Sequence, residues 1–149
     1  MKKKPRKKRF SDFNLEEALT LIGTNQLKKW AIEAQPKQPS KLVQQLKAKL
    51  ESYFDLSLSE AAKSLLIDAI LLEAIDGFQE LKIWKEASLQ TGKTTGVVDY
   101  LIAPQGVVYR QPLLCVIEAK KDDFEKGLAQ CLVEMDACRW YNQNLPYFD

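Results

Sequence analysis

Val97-Val98-Asp99-Tyr100-Leu101-Ile102-Ala103 is a run of β-branched, aromatic and aliphatic residues broken only by Asp99. Leu113-Leu114-Cys115-Val116-Ile117-Glu118-Ala119 is a second such run, broken only by Glu118. Composition and length predict two buried strands. Side chains alternate across a strand, so Glu118 and Lys120 project from one face of the second while Ile117 and Ala119 project from the other. Working outward, Glu80 to Ser88 reads as a further strand, and Gly92-Lys93-Thr94-Thr95-Gly96 as a hairpin connection between it and the Asp99 strand. Asp123 to Asn142 reads as a helix, with Phe124, Leu128, Cys131, Met135 and Cys138 recurring on its core face. Gln130, Glu134 and Ala137 share a different, partly polar stripe that points either at the strand acids or at water.

Two carboxylates and an amine on neighbouring buried strands need an explanation. Taking a lone carboxylate out of water costs about several kcal/mol, so Asp99 and Glu118 require a partner or a cation. Mg²⁺ suits them, being a hard ion held by one or two carboxylates plus water and phosphate oxygens. Lys120 then supplies positive charge beside an attacking water or a scissile phosphate. That is the outline of a metal-dependent phosphodiesterase site. The competing reading makes Glu118 and Lys120 a surface ion pair at a strand end, with Asp99 a third rim charge.

The segment before the first strand is helical. Ser57-x-x-Glu60 has capping-box spacing, and Ala61 to Ile75 is apolar at most positions, which predicts a helix buried on nearly all sides. Glu60 shares a stripe with Ile67 and Leu71, whereas Glu73 lies about 140° away, so the two acids do not serve one site. An acid in the first turn is also favoured by the cap and the helix dipole alone. Ala87 to Thr94 fits a relaxed phosphate-binding loop, but a strand and not a helix follows it, which argues against nucleotide hydrolysis.

Taken in chain order, these elements resemble the PD-(D/E)XK restriction-endonuclease-like superfamily, and especially the N-terminal nuclease-like domain of type I restriction enzyme R (motor) subunits. The resemblance runs from about Ser57 to the C-terminus: a helix with an early acid, a first strand, the Asp99 strand, then Glu118-x-Lys120 leading into a helix with Gln130. It implies that Asp99 and Glu118 bind the metal, that Lys120 assists the nucleophile or transition state, that Glu60 adds a metal ligand, and that Gln130 contacts the site. It implies Mg²⁺, or Mn²⁺ in its place, and DNA as substrate in a restriction or repair setting. Partners implied are a second copy or a restriction motor or specificity subunit. The chain departs from the pattern in having Val98 before Asp99 where proline is usual, and Glu134 four residues after Gln130 where a tyrosine is better known. Such domains also continue past this helix into a further core strand, whereas this sequence reads Leu145-Pro146-Tyr147-Phe148-Asp149 and stops. A strand from a partner copy, a longer parent protein and a degenerate domain all remain open.

At 149 residues and 46% hydrophobic, the chain suits one globular domain with an N-terminal extension. It contains no histidine, which excludes histidine triads and HExxH zinc proteases. Its three cysteines, Cys115, Cys131 and Cys138, lack CxxC spacing and read as buried, reduced thiols of a cytoplasmic protein. Neither a membrane span nor a signal peptide is legible. Seven of the 22 basic residues fall in the first nine positions, so the remainder sets fifteen basic against twenty acidic residues. Lys2, Lys3, Lys4, Arg6, Lys7, Lys8 and Arg9 therefore predict a flexible basic arm that holds nucleic acid through its phosphates, with Lys93 a further contact from its turn. After it, Asn14 caps a short helix ending near Gly23, Thr24 opens another to about Glu33, and Ser40 caps Lys41 to Tyr53, whose Leu42, Leu46 and Leu50 form a narrow apolar stripe.

The expected architecture is an α/β restriction-endonuclease-like core, a small mixed sheet flanked by helices, over residues 57–149, preceded by a helical extension over 11–56 and the arm over 1–10. The expected activity is hydrolysis of DNA phosphodiester bonds. A catalytically inactive DNA-binding or subunit-docking module and an oligomerisation protein using the Leu42 to Leu50 helix are the alternatives.

Overall fold

The computed structural model describes residues 6–120 and 123–144. Lys2, Lys3 and Lys4 lie outside the described residues. Along the chain come β1 (Lys8–Arg9), α1 (Leu15–Ile22), α2 (Lys41–Tyr53), α3 (Glu60–Ile75), β2 (Leu81–Gln90), β3 (Thr94–Pro104), β4 (Cys115–Ile117) and α4 (Phe124–Asn144). Among the described residues this is a mixed α/β fold with four helices and a small, open, mixed sheet of four strands. It divides into a sheet unit, made of the chain up to Asn25 together with everything from Glu80 onward, and a helical unit, Gln26–Gln79. The two units meet in sequence at 25/26 and 79/80.

In the sheet unit β3 is central. β2 pairs antiparallel along one of its edges. The other edge is shared: β1 pairs parallel with Thr94 and Thr95, and β4 antiparallel with Tyr100, Leu101 and Ile102. The β2–β3 turn is tighter than the predicted connection. Thr91 N–H donates to the Thr94 carbonyl at 2.9 Å, and the Thr91 hydroxyl accepts from Thr94 N–H at 2.9 Å. No helix opens at Lys93 and Thr94, so the phosphate-loop pattern has no structural counterpart.

The core forms between this sheet and α4. Val98, Leu101 and Ala103 of β3 and Ala129, Val133 and Ala137 of α4 are each fully buried. The predicted apolar stripe of α4 is only partly its buried face: Cys138 is buried and Leu128 and Cys131 half-buried, but Phe124 is 82% and Met135 55% exposed. Small residues instead let the helix lie close to the sheet, and that same face carries Gln130 and Glu134 inward. α1 packs on α4 through Ala18, and its first turn is closed by reciprocal bonds between Asn14 and Glu17 at 2.8 and 3.0 Å.

The predicted flexible arm ends sooner than residue 10. Lys8 and Arg9 are β1, and Phe10 is 1% exposed, seated on Gly96, where any Cβ would collide with its ring. A basic run reads as solvated until a β-edge and a cavity for one aromatic take up its last residues.

In the helical unit Ser40 caps α2 as predicted, and its own N–H and hydroxyl donate to Glu73 at 2.8 and 2.5 Å. These bonds hold the Glu73 carboxyl below its ordinary range. The cap of α3 is Ser59, not Ser57, whose N–H and hydroxyl turn back onto Asp55. Nor is α3 buried on nearly all sides: only Ala62 and Ala69 are buried, and Ile70 and Leu72 are exposed. The helix expected from Thr24 to Glu33 does not form. Among the described residues no helix is long and apolar enough to cross a membrane.

Candidate functional site

The predicted strand acids meet at the point where the sheet stops pairing. β4 follows β3 in the register Ile102↔Cys115, Leu101↔Val116, Tyr100↔Ile117, and one further step sets Glu118 opposite Asp99. There the backbone ladder gives way, and Ala119 N–H donates to Asp99 Oδ2 at 2.8 Å. On its other side Asp99 stands opposite Glu86, the step that the β2–β3 ladder skips between Lys85↔Tyr100 and Ala87↔Val98. Glu86 has φ 52°, a left-handed conformation that costs a non-glycine residue roughly 1–2 kcal/mol. Three acids thus share one row across the sheet, flanked by a local distortion of β2.

Glu118 carries its side chain inward, 2% exposed, with Lys120 Nζ 2.7 Å from Oε1. The ammonium is close enough to form an ion pair, yet neither oxygen of Glu118 has an aligned hydrogen bond. Lys120 runs over Gly127 of α4, where an added Cβ would lie 2.7 Å from Lys120 Cγ. Glycine there is what admits the lysine.

α4 closes the site from above the sheet. Asp123 Oδ1 accepts from Lys126 N–H at 2.9 Å in its first turn. Near its far end Asn142 grips the backbone of Leu113 through two hydrogen bonds of 2.8 and 3.0 Å, which fixes the helix against the segment leading into β4. Between these anchors Gln130 Nε2 donates to Glu134 Oε1 at 2.9 Å. Glu134 is fully buried, and its carboxyl faces that of Glu118. Burial pushes Glu134 up to about 8; its bond from Gln130 opposes the shift, and the charges of Glu118 and Asp99 add to it. Glu118 is raised by burial too, opposed by Lys120 and reinforced by Asp99. A cleft of about 390 Å³ opens beside the pair, lined by Glu118, Lys120, Gly127, Leu128 and Cys131 among others.

Among the described residues no three Asp, Glu, Cys or His side chains are arranged as a ready-made metal cage. What the cluster has is a surplus of acceptors. Four buried side-chain oxygens there, two of Glu118 and one each of Gln130 and Glu134, lack an aligned hydrogen bond. Acceptors facing one another without donors are satisfied by a cation or by protons. In donor chemistry the set fits a hard divalent ion.

Asp99, Glu118, Lys120 and Gln130 are therefore gathered in one unit. Glu60 is not among them: it heads α3 in the helical unit, exposed. Lys93 is exposed on the β2–β3 turn, Arg6 is exposed, and Lys7 is half-buried. Lys8 and Arg9 are matched within the fold, Lys8 to Glu17 at 2.5 Å and Arg9 to Asp12 through two bonds of 2.9 and 2.8 Å. The residue the sequence pattern leaves unassigned is Glu134; its only signal is the stripe it shares with Gln130. Cys115 is exposed, contrary to expectation. Burial raises the other two thiols, Cys131 to about 11 and Cys138 to about 12, so both stay protonated at neutral pH.

In comparisons with known proteins, no protein-family model, curated protein or solved structure matches the chain.

Proposed function

We propose that the sheet unit is a restriction-endonuclease-like core of the PD-(D/E)XK kind and that the chain hydrolyses DNA phosphodiester bonds with Mg²⁺, or Mn²⁺ in its place. One observation carries the reading: Asp99 and Glu118 are register neighbours at the end of the β3–β4 ladder, with Lys120 on the Glu118 side, beside an open cleft. Asp99 and Glu118 hold the cation. Once bound, the cation offers Lewis acidity toward a phosphate oxygen and a water of lowered pKa. Ala119 N–H fixes one Asp99 oxygen, leaving the other for the site. Lys120, able to exchange Glu118 for an anionic substrate, orients the water or stabilises charge developing on the phosphate. DNA is drawn in by the basic residues before β1 and by Lys93, in a cytoplasmic restriction or repair setting, with a second copy or a restriction motor or specificity subunit as partner.

The test is cleavage of plasmid and of single-stranded DNA by the purified chain, with Mg²⁺ or Mn²⁺, beside Asp99→Ala and Lys120→Ala. The wild type cuts, and each variant loses about 10²-fold or more in rate. Cleavage that survives both substitutions sinks the assignment. Salt-sensitive DNA binding with no cleavage by the wild type leaves the inactive binding module as the better account.

A further inference from the structure

Glu134 has no place in the roles assigned above, yet it is the most deeply placed acid of the site. It is fully buried, and Gln130 Nε2 donates to its Oε1. Its Oε2 and Gln130 Oε1 have no aligned hydrogen-bond donor among the described residues, and the Glu118 side chain, itself 2% exposed, has the Lys120 ammonium at Oε1 but no aligned hydrogen bond at either oxygen. A buried glutamate kept for packing or for a structural bond is met by donors. This one has a donor at Oε1 alone, and its carboxyl faces that of Glu118.

We propose that Glu134 is a further ligand of the cation, so that Glu118 from the end of β4 and Glu134 from the middle of α4 hold a divalent metal between them. Gln130 is the positioning residue: its amide holds one Glu134 oxygen and turns the other toward Glu118. The inference rests on the metal-site reading of Asp99 and Glu118 and extends it. The ion sits between sheet and helix and not on the sheet alone, and Mg²⁺ or Mn²⁺, hard ions that take carboxylate and amide oxygens, are the ions expected. It also gives the acid a reason to stand four residues after Gln130, where burial would favour almost any other side chain.

Metal uptake by the full chain, treated with chelator and then titrated with Mn²⁺ by calorimetry or electron paramagnetic resonance, tests it without recourse to activity. Wild type, Glu134→Gln, Glu118→Gln and Asp99→Asn are compared. The expected result is one tight Mn²⁺ per chain, weakened about tenfold or more in Glu134→Gln and at least as much in Glu118→Gln. Wild-type affinity in Glu134→Gln, with loss in Asp99→Asn and Glu118→Gln, overturns the inference and leaves the metal-site reading standing. No Mn²⁺ uptake by the wild type overturns both, and identifies protons as what the facing carboxyls share. If Glu134→Gln does not fold, Glu134→Asp takes its place; it retracts the carboxylate by one methylene, and wild-type affinity in that variant is equally fatal.

Discussion

At Glu134 a carboxyl is buried against a second carboxyl, and the sign of the resulting pH dependence follows from its direction of shift. The folded chain holds the Glu134 proton up to about pH 8, whereas the unfolded chain releases it near 4.5. Between those values the unfolded state loses a proton that the folded state keeps, so stability falls as pH rises through that window and levels off above it. Glu134→Gln removes the effect. In metal-free protein the two melting temperatures should agree near pH 4.5 and separate steadily toward pH 8, the variant being the more stable by about a few kcal/mol at most. Parallel melting profiles from pH 4.5 to 8 would show that Glu134 is not held protonated. Asp99 and the Glu118-x-Lys120 pair were legible in the sequence because each acid interrupts a run that is otherwise apolar. Glu134 was not, because its burial depends on which side of α4 meets the sheet, and local periodicity does not encode that choice. Glu86 was illegible for a similar reason: its φ of 52° arises within a ladder whose register runs on unbroken past it.

α4 shows how a helix face is misread when side-chain size is taken for burial. Phe124 and Met135 look like core residues but lie outside, while Gly127, Ala129, Val133 and Ala137 make the contact, since small residues bring the helix axis closer to the sheet. That close approach puts Gln130 and Glu134 over the strand acids. It also leaves Lys120 a channel only as wide as glycine permits. Gly127→Ala should keep or slightly raise the melting temperature, because alanine in a helix interior is favoured over glycine by about 1 kcal/mol. The new Cβ would stand 2.7 Å from Lys120 Cγ, so the lysine must move out of its path beside Glu118. Cleavage by Gly127→Ala should therefore drop toward the level of Lys120→Ala while the fold is retained. Unchanged cleavage with an unchanged melting temperature would mean that the course of Lys120 over α4 is immaterial. The hairpin and the Ser40 cap were readable, since turn and cap chemistry are local; the shortness of β4 was not, because Asp99 takes the Ala119 N–H with its side chain and ends the ladder there.

For the molecule as a whole, the basic run at the N-terminus is two things joined end to end. Lys8 and Arg9 belong to the sheet unit as β1, with their charges spent on Glu17 and Asp12, and Phe10 fills a core site against Gly96. Lys2, Lys3, Lys4, Arg6 and Lys7 precede that strand, and the chain after residue 9 is acidic overall. Deleting residues 1–7 and deleting residues 1–10 should thus have different consequences. The shorter deletion removes five cations, so DNA affinity falls and its dependence on salt becomes shallower, by up to about one unit of slope per lost phosphate contact. Its melting temperature should stay close to that of the full chain. The longer deletion also strips β1 from the β3 edge at Thr94 and Thr95 and empties the Phe10 site, a loss of about 3–5 kcal/mol for the aromatic alone. Melting curves and salt titrations of DNA binding on the two truncations separate the effects. Equal melting temperatures would show that β1 and Phe10 contribute nothing to the sheet unit. An unaltered salt slope in the shorter truncation would place the DNA contacts elsewhere, with Lys93 and the cleft beside Lys120 the next positions to substitute.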